Sequence, residues 1–299
     1  MTSQALDLVT MGHALSELSA TYLGDCQWQV TSGEQRQQQQ GFLAWYMAHR
    51  DEIGKLSNLE ALASTDYTKL NAFLVARGFD PLFDPFPGVG VASVLDMLVN
   101  WLHKGTLTTI ERYDTATRRP AIYPAFVLPA AGVELFDVMG FNQPLGRLLT
   151  KTGESLWLMK ADEPSSGIVL ANLAHEILSA DRKLTSEWTV GAAVPMLEMS
   201  LEPDISWMVG METSNRAGQS FVIEQAFQQF KLRANEKGAR VKVATGFGFE
   251  CTSFGPDPYI FDDPFVGFFT QQGHDALPMA AFYADTDSWR NTGGTLEEL

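Results

Sequence analysis

The chain has 299 residues, 45% hydrophobic and 11% aromatic, a composition that supplies a sizeable core and excludes a disordered class. Its formal net charge of −15 repels phosphate backbones and anionic lipid, which excludes nucleic acid and membrane surfaces as partners and favours a basic one. Two cysteines, Cys26 and Cys251, allow one disulfide and no framework of several. The N-terminus lacks a basic segment followed by an apolar one, and no run approaches the length of a membrane span, so a cytoplasmic protein is expected.

In chain order, the apolar spacing of Leu6 to Leu23 predicts an amphipathic helix. Gln37–Gln40 reads as a loop or a helix start. Phe42–Leu56, Asn58–Ala63 and Asp66–Gly78 predict further helix, the last closed by Gly78, so residues 1–80 are expected to be a helical N-terminal part. Asp80–Gly90 is rich in Pro, Gly and Phe and reads as a break. The apolar run Val89–Leu102, followed by Lys104-Gly105, predicts a buried helix with a cation and a glycine at its end. Tyr123–Phe136 is interrupted by Pro124, Pro129 and Gly132 and predicts short extended segments. Ser155–Met159 predicts a strand, Ile168–Leu178 a helix, and Glu187–Val190 with Val194–Leu201 paired strands. The tail from Asp285 to Leu299 is polar and acidic and is expected to be flexible. No internal repeat is present.

The most informative stretch is Phe221–Phe269. Phe221–Ala234 is strongly patterned, Asn235-Glu-Lys-Gly238 is a turn, and Ala239–Phe247 alternates with period two. That alternation puts Ala239, Val241, Val243 and Thr245 on one side, as in a half-buried strand. Gly248–Pro258 has the glycine and proline content of an exposed loop, and Phe261-Asp-Asp-Pro-Phe265 returns to apolar sequence. Pattern alone supports a β-hairpin with a long connection.

Gln225-Ala-Phe, Asn235-Glu-Lys-Gly238 and Phe261-Asp-Asp-Pro-Phe265, in this order, resemble the C-terminal signature of serpins. In that family these are the strand before the reactive loop, the hinge, and the strand after it. Phe86–Leu98 with Gly105-Thr106 is similar to a buried central helix of the family. Ser155–Leu178, Pro195–Met211 and Leu277–Tyr283 are similar to later segments, so the resemblance covers roughly residues 84–284. It implies a single serpin-like α+β domain over 1–299, with the helical N-terminal part around a large, mostly antiparallel β-sheet and an exposed reactive-type loop.

The implied activity is protease inhibition through a bait loop at about residues 246–259, with no enzymatic activity and no cofactor or metal. A serine or cysteine protease would cleave the loop, and residues 239–247 would insert as a strand. The hinge residues so implied are Glu236, Gly238, Ala239, Val241, Val243 and Thr245. The scissile region falls at Glu250, Cys251, Thr252, Ser253 and Phe254. The partner is then a target protease, with the inhibitor acting as a monomer. Two other readings stand beside it: a non-inhibitory binding or scaffold protein of the same fold, and a Cys251-dependent hydrolase.

No His-x-x-x-His, Cys-x-x-Cys, Gly-x-Ser-x-Gly or P-loop occurs, and Gly88-Val-Gly90 and Gly246-Phe-Gly248 lack the third glycine of a dinucleotide site. His175 reads as a packed or surface residue. Asp262-Asp263 reads as solvated carboxylates rather than a metal pair, and Trp101, Trp157, Trp188 and Trp207 read as core.

Overall fold

The computed structural model describes residues 2–24, 26–30, 33–114, 119–161, 163–185, 190–240, 257–291 and 296. Its elements begin with β1 (Gln4–Leu6), α1 (Leu8–Leu18), a π turn (Ser19–Leu23), α2 (Arg36–Ile53), β2 (Leu59–Ser64), α3 (Tyr67–Val75), β3 (Gly90–Leu95) and β4 (Leu98–Asn100). Next come β5 (Thr106–Asp114), β6 (Arg119–Pro129), β7 (Val133–Val138), β8 (Leu145–Leu149), β9 (Ser155–Lys160), α4 (Gly167–Ser179), β10 (Arg182–Leu184), β11 (Gly191–Pro195) and β12 (Leu197–Leu201). The last are β13 (Glu212–Ser214), β14 (Ser220–Val222), β15 (Phe230–Ala234), β16 (Gly238–Arg240), β17 (Tyr259–Ile260), β18 (Phe265–Gln271) and β19 (His274–Ala284). They form two compact units, the first from residues 1–6, 97–201 and 230–299, the second from 7–96 and 202–229.

The first unit contains three sheets. The largest has seven strands in the order β1-β19-β18-β9-β8-β7-β10, and each of its pairs is antiparallel. Its central strands are apolar on both faces because both are covered. On one side α4 lays Leu170, Ala174, Ile177 and Leu178 against Trp157, Met159, Val266 and Phe268. On the other side aromatic rings fill the space above glycines. Gly267 pairs with Phe282, whose ring lies where a Cβ on Gly267 would sit, 2.2 Å away; Phe261 covers Gly146 in the same way. The second sheet has the order β17-β11-β6-β5 and the third β12-β15-β16-β4. Phe230 of the third sheet and Phe282 of the first have ring centroids 6.3 Å apart, which joins the two layers.

The tail expected to be flexible is packed where it is described. Asp285 and Ser288 are buried, the Ser3 hydroxyl bonds to Asp287, and Trp289 stacks on Phe265 at 6.1 Å. The Trp289 ring, the Asp285 cap on Thr286 N and the bond from Ser3 anchor this end despite its acidic composition.

In the second unit Asp7 caps α1, its carboxylate accepting from Val9 N and Thr10 N. Asp66 caps α3 in the same manner, and Gly78 ends that turn with φ +83°. Gln37–Gln40 is the first turn of α2, where buried Gln39 donates to Trp207 O at 2.8 Å. Two expected helices are strands. Asn58–Ala63 falls in β2 and Val89–Leu102 in β3 and β4, with β2 and β3 paired antiparallel from Leu59↔Leu95 to Ser64↔Gly90. The cause is visible in the burial of β3, where Ala92 and Val94 face the core at period two and pack on Leu70 and Leu74 of α3. A continuous apolar run carries no period of its own, and β-branched residues beside glycine decide for strand.

Residues 223–229, expected to be strand, join no ladder among the described residues. Three glutamine amides stand in for one. Gln228 accepts from Asp7 N and donates to Asp7 O, Gln225 does the same with Asp84, and Gln229 accepts from Asp80 N. The Pro-rich break at 80–86 is thereby fastened without a strand of its own.

A methyl group at Gly267 has no space, because the Phe282 ring is fully buried and cannot swing aside. Gly267→Ala is expected to cost about 1–3 kcal/mol in denaturant unfolding; a loss within error of zero would show that the ring relocates. His13, bonded through Nδ1 to Ser93 Oγ at 3.0 Å, has its pKa lowered from 6.5 by burial, with Glu17 acting in the opposite sense. The unfolded chain therefore takes up the proton first as pH falls, and stability is lost below about pH 6.5. Replacing His13 by Gln should flatten that part of the stability–pH curve, and an unchanged slope would rule His13 out as its source.

Candidate functional site

β15 ends at Ala234 and the chain reverses through Asn235–Lys237 into β16. Asn235 N donates to Gly238 O at 2.9 Å, and Lys237 N donates to the Asn235 side-chain oxygen at 2.9 Å. The turn expected from Asn235-Glu-Lys-Gly238 is present, and both Asn235 and Glu236 are buried in it.

A clamp holds this turn. The Trp101 indole donates to Asn235 O at 2.7 Å, Trp101 N to Lys237 O at 3.1 Å and Gly105 N to Glu236 O at 2.7 Å. All three carbonyls of the turn thus accept from the short segment that links β4 to β5. Gly238 itself is needed for close approach. A Cβ there would lie 2.1 Å from Val99 O and 3.1 Å from Asn100 Cα, and both are backbone atoms of β4 that cannot step aside.

Gly238–Arg240 enters the third sheet between two strands. Ala239 lies opposite Ala234 of β15 and Val99 of β4, and all three are buried. Ala239 thus faces inward in this sheet. Of the other hinge residues, Val241, Val243 and Thr245 lie outside the described residues, as do Glu250, Cys251, Thr252, Ser253 and Phe254.

The chain is described again from Asp257, and its return is also anchored. β17 pairs parallel with β11, Tyr259 opposite Ala192 and Ile260 opposite Ala193, and Phe261 N donates to Ala193 O at 2.9 Å. Phe261 is fully buried, with its ring 5.0 Å from Tyr259 and 5.8 Å from Phe265. Burial pushes the Tyr259 hydroxyl well above the usual phenol range, and the charges of Asp262 and Asp263 push it in the same direction. Lys160 sits 5.0 Å over the Tyr259 ring and bonds to Asp262, while Arg112 pairs with Asp263 at 3.3 Å. The two aspartates are therefore ion-paired to separate strands. Among the described residues no three His, Cys, Asp or Glu side chains converge as a metal site, and no helix is long and apolar enough to cross a membrane.

Residues 241–256 are thus bracketed by a strand of the third sheet and a strand of the second. Sequence reasoning missed the Trp101–Gly105 clamp. Trp101 read as core, which it is, and Gly105 read as a helix end; neither carries a local sign of its partner some 130 residues on.

No family model matches the chain, and no curated protein sequence does. Solved structures match over nearly its whole length. A highly specific serpin of the insect Tenebrio molitor covers 95% of this chain and 92% of its own, with 12% identity and a TM-score of 0.60. Thyroxine-binding globulin in complex with thyroxine covers 97% and 94%, at 10% identity and a TM-score of 0.59. The mouse protein-Z dependent protease inhibitor covers 95% and 91%, at 12% identity and a TM-score of 0.56. The fold is serpin-like α+β with large, mostly antiparallel sheets, as the resemblance implied.

Gly238→Ala is expected to push β16 away from β4, lowering stability by about 1–3 kcal/mol and speeding amide exchange in residues 98–100 and 234–240. Trp101→Phe, which leaves Asn235 O without its donor, should cost about 1–2 kcal/mol and raise exchange in the same turn. Exchange unchanged in both variants would show that neither contact holds the turn.

Proposed function

We propose that the loop at about residues 246–259 is presented as bait to a protease and that 239–247 then lengthens the third sheet as a strand. The observation that carries this reading is β16: the first residues after the turn already lie between β15 and β4, with Ala239 buried and Gly238 seated on Val99. Continuing the Ala239↔Ala234 and Ala239↔Val99 register puts Val241 opposite Leu232 and Met97, and Val243 opposite Phe230. Leu232, Met97 and Phe230 are buried on the same side as Ala239, so the lengthened strand would bury its valines there and gain a ladder on both edges.

The protease nucleophile would attack a loop carbonyl within Glu250–Phe254, Thr252 being the central candidate. The peptide C–N bond breaks, the new amine leaves with the downstream piece, and the upstream piece remains as an acyl-enzyme. Strand addition would then carry the bound protease with it. Phe249 or Phe254 suits an apolar specificity pocket, and the scissile region contains no arginine that would suit a trypsin-like one.

A second reading, a binding or scaffold protein whose loop does not insert, is favoured by Val241 and Val243. Both are bulkier than alanine, and both must be buried against large side chains, Leu232 and Phe230, for the strand to form. The folds of a highly specific serpin, a protease inhibitor and a thyroxine-binding globulin match this chain about equally well.

Incubation with a panel of serine and cysteine proteases distinguishes these, read by denaturing gel, mass spectrometry and melting curve. The inhibitor is expected to give a denaturant-stable adduct joined between residues 249 and 254. Nicking without adduct and with an unchanged melting temperature would overturn insertion and leave the scaffold. Nicking that raises the melting temperature without an adduct would mean insertion too slow to trap. Hydrolysis of a substrate that is lost in Cys251→Ala would replace both readings by an enzyme.

A further inference from the structure

Most sheet edges among the described residues are short or charged. β1, β4 and β10 have three residues each, β10 carrying Arg182 and Lys183, and β17 has two. β5 is different. It is an outer strand of nine residues, contains no proline or lysine, and no described strand pairs with its free side. Thr106, Leu107, Thr108 and Thr109 are all exposed, while Ile110, on the face of Thr106 and Thr108, has a buried side chain, so the strand is open on both faces only at its start.

The β5–β6 register sorts its side chains. Leu107 lies opposite Phe126, Thr109 opposite Pro124, Glu111 opposite Ile122 and Tyr113 opposite Pro120, so these residues share one face. At the base of the hairpin Phe126 is buried and Leu107 opposite it is 36% exposed; towards the tip that face opens further, with Tyr113 60% and Ile122 69% exposed. An uncovered apolar face beside a long unpaired edge is the setting in which strands add to strands.

We infer that β5 is an association edge for a second copy of this chain, paired antiparallel about a two-fold axis at Ile110. The sequence is self-complementary in this register alone. Centred on Ile110, all nine residues overlap, Leu107 faces Tyr113 of the second copy, Thr108 faces Arg112 and Thr109 faces Glu111. Each row joins apolar to apolar or hydroxyl to charge. A shift of the centre to Glu111 sets two carboxylates directly against each other, and a shift to Thr109 sets Leu107 against Glu111. The Ile110 register also extends the apolar row across the dimer as Pro120–Tyr113–Leu107–Phe126, and the symmetry repeats it. The pairing departs from the monomer expected from resemblance, and it depends on no property of the bait segment.

Each copy carries a net charge of −15, which opposes association. The dimer is therefore expected to tighten as salt rises from about 0.01 M to about 1 M, where the screening length falls from about 30 Å to about 3 Å. Sedimentation equilibrium of the full chain should show twice the 33.0 kDa mass at high salt. Leu107→Glu and Tyr113→Lys should each weaken association by at least about tenfold while leaving the melting curve in place, since both sites are exposed. The two substitutions together set opposite charges face to face and should restore most of the lost affinity. A monomer at every salt and concentration would overturn the proposal. So would a dimer that ignores both single variants, or a double variant no tighter than the weaker single one.

Discussion

The contact of Gly238 with the carbonyl of Val99 sets the geometry of the turn at 235–237 and of β16 after it. It is backbone against backbone, and no side chain can be accommodated. Because Gly238 sits there, the turn before it is close enough for Trp101 and Gly105 to reach all three of its carbonyls. Gly105 is confined in turn, since a Cβ on it would lie 3.2 Å from Glu236 O and 3.2 Å from Val127 O. Glu236 belongs to the turn and Val127 to β6, so one glycine ties the turn before β16 to the sheet that contains β17.

The seven-stranded sheet is covered on both faces. α4 covers one face, and on the other the rings of Phe261 and Phe282 occupy the space left by Gly146 and Gly267. Phe261 does two things at once. It continues from β17 with a bond to Ala193 O, and it fills the hollow over Gly146, so the chain here is fixed by core packing. Lys160 and Arg112 add ion pairs to Asp262 and Asp263, but these are partly exposed and of modest weight beside the buried rings.

Two glycine-rich or polar stretches illustrate how much the local sequence can carry. Asn235-Glu-Lys-Gly238 is legible as a turn because an Asn side chain satisfies the backbone two residues on and glycine removes a Cβ; both happen here. The structure shows Asp7 and Asp66 as helix caps, each a short acceptor beside unpaired amides. By contrast, Val89–Leu102 and Asn58–Ala63 are apolar enough to suit either element. Their pairing partners, each other in β2 and β3 and then β16 for β4, are what select strand.

The sequence by itself determined the alternation of Ala239–Phe247, the turn before it, the apolar return at Phe261 and an acidic chain with a core to bury. These are properties of neighbours along the chain, where propensity and periodicity act. Only the tertiary structure decided that Ala239 lies between β15 and β4, that Trp101 bonds to Asn235, and that three glutamines replace a ladder along 225–229. It also decided that Trp289 holds a tail whose composition suggests none of this. Such contacts join residues far apart in sequence. A donor in need of an acceptor does not record in its own neighbourhood which one the fold will bring, and an apolar run does not record which surface will cover it.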